Sequence, residues 1–133
     1  MLVNMSGGKK VENIINEIVE PDLLWTNPSP TSVFNPQTVS VASGYDGYLI
    51  EILDYISHTP KSYSIGYVAV GSGAKGIGAP SYNSSSPAGG AMWRKINSAN
   101  NGSIVFDRGV NESGYMYNGC GVPQRIWGVK FTL

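Results

Sequence analysis

Apolar residues fall in short runs separated by Gly, Pro, Ser and Asn, and the longest dense run, GYLIEILDYI at 47–56, sits near the middle of the chain. Its period is ambiguous. Leu49, Ile50, Leu53 and Ile56 recur at helical spacing, whereas alternation places Tyr48, Ile50, Ile52 and Ile56 on one face with Asp54, and Leu49, Leu53 and Tyr55 on the other with Glu51. The neighbouring runs read as strands and its β-branched and aromatic content is high. The segment is therefore predicted to be a central strand buried on both faces. On a strand Glu51 and Asp54 point to opposite sides, and Glu51 needs a partner such as Arg94 or Arg125.

One segment has a helical period. In VENIINEIVE, 11–20, Val11, Ile14, Ile15 and Ile18 form an apolar stripe opposite Glu12, Asn13, Asn16 and Glu17, and Pro21 ends it. So short a helix does not hold alone in water. It must dock on its own domain or on copies of itself, and Val11, Ile14 and Ile18 at a, d, a spacing favour a trimer.

Downstream, strands are predicted at 22–25, 37–42 (Val39 and Val41 on one face), 64–70, 91–97, 103–108 and 124–133. In the last, Trp127, Val129, Phe131 and Leu133 share a face with Arg125. Asn101-Gly102 is a hairpin signal. Pro28, Pro30 and Pro36 make 26–37 an extended surface segment anchored by Trp25 and Phe34. Gly66, inside a strand, predicts a bulge or a large neighbour packed over it. Residues 71–90 and 109–122, rich in Gly, Ser and Asn, read as long loops. The expected fold is all-β: an antiparallel, jelly-roll-like β-sandwich of about seven to eight strands. Residues 1–21 form a flexible start and attachment helix, and 22–133 form the sandwich domain.

Composition sharpens this. Charged residues are 14% of the 133, below the usual ~25%, and nine basic residues balance nine acidic ones. No basic footprint for nucleic acid or an anionic membrane is present, and no run approaches the ~18 apolar residues of a membrane span. The single cysteine, Cys120, excludes an intrachain disulfide and suits a reducing compartment. The N-terminus has no apolar core of a secretion signal.

Candidate chemistry is sparse. GSGAKG at 71–76 matches a dinucleotide fingerprint, but the residues that follow cannot open the helix it requires. His58, the single histidine, and Cys120 form no spacing for a metal, and no cofactor is expected. Cys120 reads as a small buried residue, and Asn-x-Ser triplets at 83, 101 and 111 as coincidences. Glu51, Asp54, Asp107 and Glu112 would make a glycosidase only if two of them met at the right separation, so no catalytic residue is assigned. The eight Tyr and three Trp are more informative, with Tyr45, Tyr63, Tyr82, Tyr115 and Tyr117 in predicted loops. Tyr-, Ser-, Gly- and Asn-rich loops bind through rigid rings and adaptable hydrogen bonds. Tyr82, Asn83, Tyr115, Tyr117 and Asn118 are the candidate carbohydrate-binding residues.

The segment LWTNPSPTSVFNPQTVSV, 24–41, resembles the opening of small β domains near the C-termini of tail-fibre and minor structural proteins of phages and prophages of Gram-positive bacteria. CGVPQRIWGVK, 120–130, is similar to their closing strand. The resemblance covers 22–133. It implies a virion surface module made in the bacterial cytoplasm, often trimeric, joined to other virion proteins through its N-terminus and contacting a host cell-surface glycan. A head-fibre or decoration protein without a ligand fits the length equally well, and a polysaccharide-degrading enzyme is a more distant alternative.

Overall fold

The computed structural model describes residues 20–83 and 86–131, with the backbone alone at 81–83 and 86–90. The stripe of Val11, Ile14, Ile15 and Ile18 lies outside the described residues, and no helix occurs within them. Eight strands are present: β1 Asp22–Thr26, β2 Gln37–Ser40, β3 Gly47–Tyr55, β4 Tyr63–Ala69, β5 Lys75–Asn83, β6 Ser86–Asn100, β7 Ser103–Val110 and β8 Cys120–Val129. They form two antiparallel four-stranded sheets, in the orders β1-β8-β3-β4 and β2-β7-β6-β5, packed face to face as a β-sandwich.

The run at 47–56 is a strand, paired with β4 on one side and β8 on the other. Tyr48, Ile50 and Ile52 are buried and meet Val39, Ile77, Ile96, Ile104 and Phe106 of the other sheet in the core. Burial of the opposite face is incomplete, because Leu49, Glu51 and Tyr55 stay half-buried. Glu51 takes Arg125, not Arg94: Arg125 Nε donates to Oε1 at 2.9 Å and Nη2 to Oε2 at 3.0 Å. Arg125 also lies over the Trp127 ring, 5.0 Å from its centroid.

The 26–37 segment behaves as its prolines require. Trp25 stacks edge-on against Phe34, and Phe34 against Phe106, with centroids 6.2 and 5.5 Å apart. Asn27 is buried; its Nδ2 donates to the Pro123 carbonyl at 2.8 Å and its Oδ1 accepts from Ser29 N. Stretches 24–41 and 120–130 are thus each other's neighbours, since β1 pairs with β8 and Asn27 reaches the β8 backbone.

Residues 71–90 are not a loop. β5 and the first part of β6 occupy most of them as a hairpin. Ile77 and Ala79 point into the core, while the Trp93 ring of β6 lies over Gly76 and Gly78; a Cβ at Gly78 would collide with it, and one at Gly76 would rest in ordinary contact. The glycines that suggested a loop make room for an aromatic neighbour. Pro80 is tolerated because β5 is an edge strand. The second expected loop is shorter too: β7 continues through Val110 and β8 begins at Cys120, leaving 111–119. Gly66 has a large neighbour as expected, with Ile77 side-chain atoms 3.0 Å from where its Cβ would be. Asn101 and Gly102 form the β6–β7 turn, held by Tyr48, whose hydroxyl donates to Asn100 O and accepts from Gly102 N.

Candidate functional site

One end of the sandwich gathers the β3–β4 connection at 56–62 and the β7–β8 loop at 111–119. Between them lies a cleft of about 420 Å³, walled by Tyr55, His58, Met92, Glu112, Met116 and Tyr117, with Cys120 at its base.

Local hydrogen bonding builds each wall. In the β7–β8 loop Asn111 Oδ1 accepts from Ser113 N and Tyr115 N at 3.0 and 2.9 Å, while its own N donates to Tyr115 O. This side-chain mimicry of backbone closes a tight turn. Tyr117 N donates to Gly109 O, and Cys120 N to Tyr117 O. In the β3–β4 connection Asp54 is the organising group. Its carboxylate is buried, accepts from Ser62 N at 3.0 Å and pairs with His58 Nδ1 at 2.8 Å. His58 packs edge-on against Tyr55, centroids 4.8 Å apart, and Tyr55 against Tyr117 at 5.5 Å. A hydrogen bond to the Tyr55 hydroxyl raises the pKa of the Tyr117 phenol, so the Tyr117 ring stays neutral in neutral solution.

Beneath the loop lies Arg94, wholly buried although charged. Its five N–H donors go to five main-chain carbonyls, those of Gly121, Phe34, Asp107, Asn118 and Cys120, at 2.8 to 3.0 Å. Burial pushes the guanidinium down to about 10, still far enough above neutrality to keep it cationic. Cys120 is 1% exposed, and burial pushes its thiol up to about 11 against the smaller opposing pull of Arg94. It is protonated at neutral pH and is a poor nucleophile there.

The cleft brings together some of the sequence-expected residues. Tyr117 lines it; Tyr115, 73% exposed, stands on the same loop. Asn118 is a bracing residue: its Oδ1 accepts from Gly109 N, and its carbonyl from Arg94 and Phe34 N. Tyr82 and Asn83 lie at the end of β5, where Asn83 pairs with Ser86 across the hairpin. Tyr63 is on β4, and Tyr45 packs over Gly128 and donates to Asp22. Tyr55, His58 and Asp54 were missed as a set. The available signal was an acid ending the buried face of β3, four residues before the only histidine.

No group of three or more His, Cys, Asp or Glu able to hold a metal occurs among the described residues. Glu51 is on the outer sheet face and Asp54 is buried against His58. A groove of about 390 Å³ beside β2 is lined by no titratable side chain, and in another of about 370 Å³ the charges of Glu51 and Arg125 are spent on each other. The Tyr55–His58–Tyr117 cleft is therefore the best-equipped site for a polar ligand with an apolar face. Comparison of the chain with protein-family models, with curated proteins and with solved structures finds no match in any of the three.

Proposed function

We propose that this chain is a carbohydrate-binding module whose ligand enters the cleft between the 56–62 connection and the 111–119 loop. The observation that carries the reading is the pair of phenol rings, Tyr55 and Tyr117, held edge to face beside His58, Asn111 and Glu112. Aromatic rings accept the C–H face of a pyranose, and the polar groups around them suit its hydroxyls. The jelly-roll character expected of the sandwich agrees with the outer pairs, β1 with β8 and β2 with β7, while β3–β4 and β5–β6 pair as simple hairpins.

The resemblance of 24–41 and 120–130 to phage fibre domains supports a place on a virion surface, with a glycan of the bacterial envelope as ligand. Apart from Cys120 at the base of the cleft, the residues that carry it support one another in β1 and β8 and do not line the cleft. They therefore speak for the scaffold, and the ligand reading rests on the cleft alone.

The test is a glycan array probed with the full chain, followed by calorimetric titration of the best saccharide. Tyr117→Ala is expected to weaken binding about tenfold, as loss of one ring contact of ~1.4 kcal/mol would. Absence of binding to every saccharide, or binding untouched by Tyr117→Ala, overturns the reading and leaves a decoration role without a ligand.

A further inference from the structure

The sheet of β1, β8, β3 and β4 buries one face in the core. Its other face carries a continuous apolar row. Leu23, Trp127, Leu49 and Tyr67 are successive cross-strand neighbours from one edge to the other, with Ile65 two positions along β4. Leu23, Ile65 and Tyr67 are 55%, 54% and 48% exposed. Single exposed apolar residues are ordinary, but a row spanning a whole sheet marks a contact surface.

Residues 20 and 21 indicate what covers it. β1 starts at Asp22 on one edge, and Ile65 lies on the opposite edge strand. Even so, Glu20 and Pro21 share with Trp127, Leu49 and Ile65 the walls of a depression of about 260 Å³. The chain therefore reaches β1 by running over this face. Just upstream, Val11, Ile14, Ile15 and Ile18 recur at helical spacing.

We propose that residues 11–19 lie as an amphipathic helix across the outer face of their own β1-β8-β3-β4 sheet, with the four apolar side chains on the row of Trp127, Leu49, Ile65 and Tyr67. The dimensions agree. Nine residues at 1.5 Å rise cover about 13 Å, and four strands spaced about 4.8 Å apart span about 14 Å between outer axes. The docking gives a helix too short to stand alone the partner it needs. The same stripe joining copies of the chain is the competing arrangement, and the experiment separates the two.

In the full chain, Ile14→Asp combined with Ile18→Asp is expected to lower Tm by about 4–8 °C with light scattering reporting a monomer before and after. Asn13→Asp with Asn16→Asp, on the polar face, should leave Tm in place. Ile65→Ser should also lower Tm, and adding it to the Ile14/Ile18 variant should cost less than the sum, because both remove one contact. An unchanged Tm in the Ile14/Ile18 variant, or full additivity with Ile65→Ser, overturns the proposal. So does a trimer that dissociates on the Ile14/Ile18 change, which would place the stripe between copies.

Discussion

Arg94 donates to the carbonyl of Asn118 at 3.0 Å, and this contact ties the middle of one sheet to the loop that walls the cleft. Four further carbonyls complete the guanidinium's fork, from the 27–36 segment, β7 and the start of β8. An ammonium has three donors and no planar fork. Arg94→Lys should therefore leave buried carbonyls unpaired and cost about 3–5 kcal/mol. Urea denaturation checks it, and a midpoint equal to wild type would show that the fork is not needed.

Glu51 and Arg125 make the contrasting case. Their bidentate pair lies on the outer sheet face, with the Arg125 side chain 48% exposed. Solvent and salt screen it, so a double-mutant cycle of Glu51→Gln and Arg125→Gln should give a coupling of only about 0.5–1 kcal/mol. The coupling should shrink between low salt and 1 M NaCl.

Asp54 staples the β3–β4 connection through Ser62 N and His58. Asp54→Ala leaves the half-buried Ser62 N–H and His58 without their carboxylate partner and should cost about 1–3 kcal/mol. Tyr115→Ala, on an exposed ring, should stay within about 0.5 kcal/mol. Chemical denaturation of the two variants side by side reads the difference, and equal losses would mean that Asp54 is not the organising group.

Cys120 predicts a pH dependence. Its thiol is raised from 9.0 to about 11 in the folded chain. The folded state therefore holds its proton where the unfolded state has released it. The contribution is complete below pH 9 and is lost as pH rises toward 11, an effect of roughly 2–3 kcal/mol. Stability measured from pH 8.5 to 10.5 should fall less steeply in Cys120→Ala than in wild type. Parallel slopes in the two proteins would sink this account.

The central strand was legible from its neighbouring runs and its β-branched and aromatic content, the β6–β7 turn from Asn101-Gly102, and the Trp25–Phe34 anchor from the prolines around it, because each is fixed by residues close in sequence. β5 was not legible. Its Gly76 and Gly78 look like loop residues until Trp93, fifteen residues beyond Gly78, is seen to lie over them. Arg94 reads as an ordinary charge because its five acceptors are main-chain carbonyls, which carry no side-chain signature. In the cleft, composition pointed to Tyr117 and Tyr115. Asn118 has the right residue type but faces the scaffold, and Tyr55 and His58 enter only through the bend after β3.

The β7–β8 loop is closed by Asn111 at its base and held below by Gly109, Tyr117 and the Arg94 fork, so residues 112–116 bear little of the scaffold's structure. They form an exchangeable cassette. On the ligand-binding reading proposed above, sequence drift there would retune what the cleft accepts while the sandwich stays intact, so that a changing ligand could be followed through five residues without a new fold.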